Sequence, residues 1–331
     1  MSSNNILESV KSSTKEVVNL CNWISISESS LPALIDALKG TLQDARPSKF
    51  PLNFKNLEDE VNFVALYGLV SFGSGFRDQL HEAIGRGAQE TSLFLMLSIY
   101  ISNENGIPDS THLTNIKEHD IQSWMNLPAT EETPVESLPG VFAVSSSHLM
   151  ELVKKMTFVL NTTGEILKMK NFSSLGEFCL RYGNSKDPSI LIHALSSTFP
   201  AFHDIEEVYG KEVYLLKKAQ VTAYQLSLLY PDRFGRQGLC IFADNVIPTV
   251  LYLYGILKIP AELKEKLENK KLLEKEEITV LRASSVFVCE LISERTKIPS
   301  PQLDQALWKL GKFSPEVRNS PRFSYQDTIM F

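Results

Sequence analysis

The chain has 331 residues, 43% of them hydrophobic and 22% charged, with a formal net charge of −6. That is enough apolar material for a packed core, in one large domain or two smaller ones. The acidic balance argues against a protein built to coat nucleic acid or an anionic membrane, and leaves room for a local basic pocket that takes one phosphate.

Helical periodicity dominates the chain. Ile6, Val10, Val17, Val18 and Cys21 predict a helix over 6–25. Leu31, Leu34, Ile35 and Leu38 predict another over 31–43, with Ser29 or Ser30 as its N-cap. A helix over 58–71 carries Val61, Phe63, Val64, Leu66 and Tyr67, and runs into Phe72-Gly73-Ser74-Gly75-Phe76, where the backbone needs glycine freedom. Segment 88–102 is apolar nearly all round, the pattern of a buried helix. The acidic stretch near 127–142 contains Pro128, Pro134 and Pro139. It reads as a surface loop or hinge between N-terminal and C-terminal helical lobes of a single domain, 1–331.

Segments 145–168 and 173–181 are expected to be helical, followed by Ile190–Ser197 and the turn Phe199-Pro200-Ala201-Phe202. Loose alternation around Tyr209–Tyr214 allows one short β-hairpin near 208–216, ahead of a helix over 215–229 that Pro231-Asp232-Arg233 ends. Asp244 or Asn245 is placed to cap the next helix, which tolerates Pro248 in its first turn. Lys258–Glu277 is rich in Lys and Glu and reads as a solvated helical excursion. Segments 278–294 and 301–311 are amphipathic helices, the second with Leu303, Ala306, Leu307 and Leu310 at i, i+3, i+4 and i+7. The fold class is therefore all-α, with at most one short hairpin.

The chain has no phosphate-cradling glycine loop, dinucleotide fingerprint, zinc-protease helix or nucleophile elbow. Its six histidines are scattered, and Cys21, Cys179, Cys240 and Cys289 form no CxxC pair. These features suit reduced thiols and predict neither a metal site nor a cofactor. The polar start Met1-Ser2-Ser3-Asn4-Asn5 lacks a signal-peptide profile, and the longest apolar run, Val246–Ile259, is too short to span a bilayer. The expected location is the cytoplasm, with the nucleus left open. The sequons at Asn161 and Asn171 then read as chance matches.

The second half carries an ordered series of motifs. It begins with Phe199-Pro200-Ala201-Phe202-His203-Asp204 and Lys217-Lys218-Ala219-Gln220, followed by Phe242-Ala243-Asp244-Asn245-Val246-Ile247-Pro248. Leu281-Arg282-Ala283 with Cys289-Glu290-Leu291 comes next, and Leu303-Asp304-Gln305-Ala306-Leu307-Trp308 closes it. This series resembles the queuosine salvage family. Asn62-Phe63, Ser71–Arg77 and Gly85-Arg86-Gly87-Ala88 are similar to its fungal branch. The resemblance implies a small-molecule substrate, queuosine 5′-monophosphate, cleaved to queuine and ribose 5-phosphate. It also implies a helical fold related to helix-hairpin-helix DNA glycosylases, with no metal or cofactor, no stable nucleic-acid partner and no membrane.

Cleaving an N-glycosidic bond builds positive charge on the ribose, which a nearby carboxylate stabilises, attacks, or uses to orient water. A 7-deazaguanine has carbon in place of N7, so its departure must be helped at another edge. A carboxylate accepting from the N1–H and 2-amino groups would recognise that edge. Asp244 is the candidate for reading the base, with Phe242 as an apolar wall and Asn245 beside it; the competing reading is that Asp244 only caps the following helix. Asp304 is the candidate ribose-side carboxylate, with Trp308 one turn later on the same side; the competing reading is an ordinary acid in the first turn of a helix.

Lys217 and Lys218 are candidates to neutralise the 5′-phosphate, against the usual solvated role of lysines. Phe72, Ser74 and Phe76 either wall the base or line a core turn. Arg282 and Glu290 read as a structural pair behind the site. Two functions stay side by side: a nucleotide N-glycosidase, and a non-catalytic helical binder of queuine or a tRNA-derived fragment. A DNA glycosylase is disfavoured by the acidic balance.

Overall fold

Apolar residues at three- and four-residue spacing fold into helices through most of the chain, and the strands form only isolated antiparallel pairs. The computed structural model describes residues 5–42, 50, 52–103, 106–135 and 137–331. In chain order the helices are α1 (Ile6–Leu20), α2 (Leu31–Lys39), α3 (Leu57–Leu69), α4 (Arg77–Ile84), α5 (Ala88–Ser102), α6 (Ser110–Asn115), α7 (Glu118–Met125) and α8 (Leu149–Met169). They continue with α9 (Leu175–Gly183), α10 (Pro188–Thr198), α11 (Lys217–Leu229), α12 (Val246–Leu253), α13 (Ala261–Glu268), α14 (Lys275–Thr296), α15 (Ser300–Phe313) and α16 (Pro315–Arg318). Strand β1 (Ser25–Ile26) pairs with β6 (Leu257–Lys258), β2 (Thr130–Pro134) with β3 (Phe142–Ser146), and β4 (Ile205–Val208) with β5 (Lys211–Tyr214). The chain divides into two compact units, Met1–Pro51 with Tyr182–Phe331, and Leu52–Arg181.

In the first unit the 22-residue α14 is the core helix. Glu276 and Glu277 favour its positive N-terminal end, and Leu281, Val288 and Ile292 are fully buried along it. Each such side chain contributes roughly 1.5–3 kcal/mol of hydrophobic stabilisation. Helices α1, α12 and α15 pack against it. The β4–β5 hairpin forms where alternation allowed one, starting a little earlier than expected. Its two-residue turn puts Tyr209 at φ 55° and Gly210 at φ 69°, the left-handed pair whose twist matches antiparallel strands.

In the second unit α3, α5 and α8 take the places expected for their segments. Helix α5 is not buried all round, as its composition suggested. It buries Leu95, Met96 and Ile99, but Phe94 is 48% and Ile101 78% exposed. Arg86 lies 4.0 Å over the Phe94 ring and covers part of that outer face. The proline-containing stretch near 127–142 lies inside this unit and includes β2 and the start of β3. Both strands are almost wholly exposed, so no apolar alternation marks them in the sequence.

Cys179, Cys240 and Cys289 are buried free thiols, and Cys21 is partly exposed. Among the described residues no helix is long and apolar enough to cross a membrane, and no group of three or more His, Cys, Asp or Glu could hold a metal ion.

Candidate active site

The motif residues of the second half meet in the first unit, around the turn that enters α11. Asp204 lies just before β4 and is fully buried. Its Oδ1 accepts from Arg282 Nη1 at 3.0 Å, and its Oδ2 from Arg282 Nη2 at 2.7 Å and from the Lys217 amide at 2.9 Å. Its carbonyl accepts from the Leu215 and Leu216 amides at 3.0 and 3.2 Å. Leu216 sits at φ 53°, a left-handed conformation that costs a residue with a side chain about 1–2 kcal/mol. Asp204 thus holds the strained turn that delivers Lys217 and Lys218 to the head of α11.

Arg282 has its remaining polar reach filled as well. Its Nε donates to the Ala243 carbonyl at 2.8 Å, and its guanidinium lies 4.3 Å over the Phe331 ring. It is not the partner of Glu290, as the sequence suggested. Glu290, two turns further along α14, takes Lys11 at 3.1 Å and the Ser300 hydroxyl at 2.7 Å. A buried guanidinium needs a bidentate carboxylate, and the nearest one folds in from 78 residues away.

The segment pinned at Ala243 presents the two acids. Asp244 Oδ1 accepts from the Val246 amide at 2.7 Å and, more weakly, from Ile247 at 3.4 Å, so Asp244 does cap α12. Asn245 does not take over that role: its Nδ2 donates to the Phe323 carbonyl at 2.9 Å, and its Oδ1 is buried without a hydrogen-bond partner. Capping occupies one Asp244 oxygen, and Asp244 keeps part of its surface open. Capping and base reading are therefore compatible.

Asp304 is the fifth residue of α15, past the first turn where the helix dipole acts. It is 8% exposed and accepts from the Phe242 amide at 2.8 Å. Burial pushes its carboxyl up to about 7, helped by the charge of Asp244 and opposed by the Phe242 amide and by Lys217. Lys217 in turn is lowered by burial and by Arg282, against the pull of Asp244, Asp204 and Asp304. Three carboxylates thus share two cations, Lys217 and Arg282. The group carries no net charge when Asp304 is protonated and Lys217 is charged.

The other expected residues fall as follows. Phe242 is 6% exposed, with its ring 5.5 Å from that of Tyr224. Lys218 is 1% exposed, 5.9 Å over the Phe202 ring, and held well below the usual lysine range by burial and by the charge of Lys217. Trp308 is partly exposed; its ring lies 6.5 Å from Phe313 and carries Lys312 at 4.8 Å. Phe72 and Ser74 belong to the second unit, where Phe72 is buried and the Ser74 hydroxyl is sealed off without a hydrogen-bond partner. The role of Asp204 escaped sequence reading because its partner is remote. Tyr224 escaped it because it looks like any aromatic on the apolar face of α11.

A buried carboxyl titrating near neutrality, a second acid with an open oxygen and an aromatic wall are what acid–base work on a planar base requires. A family model described as queuosine salvage protein matches residues 91–326, more than half of the chain. The queuosine 5′-phosphate N-glycosylase/hydrolase of Bos taurus is 31% identical over 203 residues, covering 55% of this chain and 59% of that protein. The protein of the same name from Mus musculus is 28% identical, over 54% of this chain and 58% of its own length. The one from Schizosaccharomyces pombe is 24% identical, over 55% of each. The chain therefore spans less than two thirds of the length of these curated relatives.

Proposed function

Since the chain belongs to the queuosine salvage protein family, we propose that it hydrolyses the N-glycosidic bond of queuosine 5′-monophosphate, releasing queuine and ribose 5-phosphate. The observation that carries this reading is Asp304: a buried carboxylate held by the amide of Phe242, two residues before Asp244 in the chain, and poised to ionise near neutral pH. The names of the relatives support the substrate.

In this mechanism the open oxygen of Asp244 accepts from the N1–H and 2-amino groups of the base, with Phe242 against its face. Ionised Asp304 stabilises the positive charge that develops on the ribose as the C1′–N bond breaks. Water adds its oxygen to C1′, one of its protons goes to the departing base nitrogen, and the free queuine leaves as a neutral molecule. The setting is proposed to be the cytoplasm, in keeping with four unpaired cysteines.

Incubating the purified protein with queuosine 5′-monophosphate and measuring free queuine tests the reading. Turnover is expected to rise with pH around a midpoint near 7, because the working form of Asp304 is ionised. Asp304→Asn is expected to lower kcat by roughly 10²–10³-fold while leaving much of the affinity. A folded wild-type sample that releases no queuine refutes the proposal.

A further inference from the structure

Arg282 is the node of the site, and its hydrogen bonds engage all three guanidinium nitrogens. Nη1 and Nη2 donate to Asp204, and Nε donates to the Ala243 carbonyl. The flat faces of the group remain. The guanidinium carbon lies 4.3 Å from the centre of the Phe331 ring, and both residues are only 2% exposed. An aromatic face in that place keeps water off the ion pair and attracts the charge as well, an attraction that grows with desolvation.

Phe331 is held there by the segment that carries it, which is fastened at three points on the way. Arg322 Nη2 donates to the carbonyl of Gly311, on α15, at 2.8 Å. The Phe323 carbonyl accepts from Asn245 Nδ2, at the head of α12, at 2.9 Å. The Phe323 ring is buried, with its centre 5.9 Å from that of Tyr252 on the same helix. The Ser324 carbonyl accepts from the Leu273 amide, just ahead of α14, at 2.8 Å. Residues 322–331 therefore touch α12, α14 and α15, the helices that follow Asp244 or carry Arg282 and Asp304.

Two arms lead from Arg282 towards the chemistry. Through the Ala243 carbonyl it fixes the residue before Asp244, whose open oxygen is assigned to the base. Through Asp204 it supports the Leu215, Leu216 and Lys217 amides at the entry to α11. Asp304 is held differently, by its own helix and by the Phe242 amide. A loosened Arg282 should therefore disturb recognition of the base more than stabilisation of charge on the ribose.

We propose that Phe331 is a positioning residue of the active site, its ring clamping Arg282 so that Asp204 and the Ala243–Asp244 segment keep their places. This assignment rests on the nucleotide-hydrolase reading and adds to it a residue that acts only through Arg282. The clamp needs a ring and not merely bulk, because what the guanidinium meets is a π face.

Two variants separate ring from bulk. Phe331→Met fills much of the same space without a π face, and Phe331→Tyr keeps the face. With queuosine 5′-monophosphate, Phe331→Met is expected to raise KM about tenfold while kcat stays within about threefold, because contacts to the base are made alike in the ground and transition states. Phe331→Tyr is expected to keep KM within about threefold of wild type. A merely structural role would lower the fraction of folded enzyme, and so kcat, with KM unchanged. A wild-type KM in Phe331→Met, or a KM in Phe331→Tyr as high as in Phe331→Met, overturns the proposal. Hydrogen exchange followed by mass spectrometry reads the clamp without turnover. In Phe331→Met the amides of Leu215–Lys217, Phe242 and Val246 should exchange about tenfold faster than in wild type, and those of α8 at the wild-type rate. Unchanged exchange at those amides, or equal acceleration throughout the chain, overturns the clamp whatever the activity. If wild type releases no queuine but the local acceleration appears, the hydrolase reading fails and the clamp stands.

Discussion

Asp304 shows how a single buried acid links chemistry to stability. An aspartate ordinarily titrates near 3.8, and this one titrates at about 7 in the folded chain. The folded state therefore binds its proton more tightly than the unfolded chain does. Wild-type stability is expected to fall as pH rises from about 4 to about 7, by up to about 4 kcal/mol, and to stay low above that. Asp304→Asn keeps an oxygen for the Phe242 amide and carries no charge at any pH. Its thermal midpoint should match that of wild type near pH 4 and exceed it by several degrees at pH 8, in scanning calorimetry at the two values. Equal midpoints at pH 8 would refute the buried-charge account. The sequence placed Asp304 beside an apolar helix face, but its shift depends on burial and on Phe242, Asp244 and Lys217, none of which is near it in the chain.

At the scale of elements, the relative placement of α12 and α15 decides how Asp244 and Asp304 face the same space. These helices touch where Gly311 of α15 lies on Val246 of α12. A Cβ at position 311 would meet the Val246 Cγ1 at 2.4 Å, so one helix has to shift. Gly311→Ala is expected to cost about 1–3 kcal/mol and to lower kcat more than tenfold at a temperature where the protein is still fully folded. Full activity in a folded variant would mean that the acids tolerate the displacement. Helices such as α8, α14 and α15 are legible in the sequence because a 3.6-residue apolar period repeats through several turns. The two- and three-turn helices α4, α6 and α7 and the exposed β2–β3 hairpin have too few inward positions to set a period. The α11 entry was legible as a helix, but its left-handed Leu216 start was not, since only the tertiary bonds to Asp204 sustain it.

For the molecule as a whole, mainly helical class and family followed from periodicity and from the order of five short motifs, and the structure and the family match agree with both. Those motifs converge within one of the two units, which is assembled from both ends of the chain. What the sequence did not disclose was pairing: Arg282 with Asp204, Glu290 with Lys11 and Ser300, and Tyr224 with Phe242. Each is a choice among many compatible side chains, settled only by which helices lie side by side.

The four cysteines give that assembly a visible signature. Cys179, Cys240 and Cys289 are enclosed, and burial pushes each thiol upward, so the reactive thiolate is withheld three times over. A water-soluble maleimide should label the native chain once, at Cys21, and the denatured chain four times, as counted by intact mass. Cys179 reports on one unit and Cys240 and Cys289 on the other, so the order in which labels appear along a denaturant series would say which half opens first.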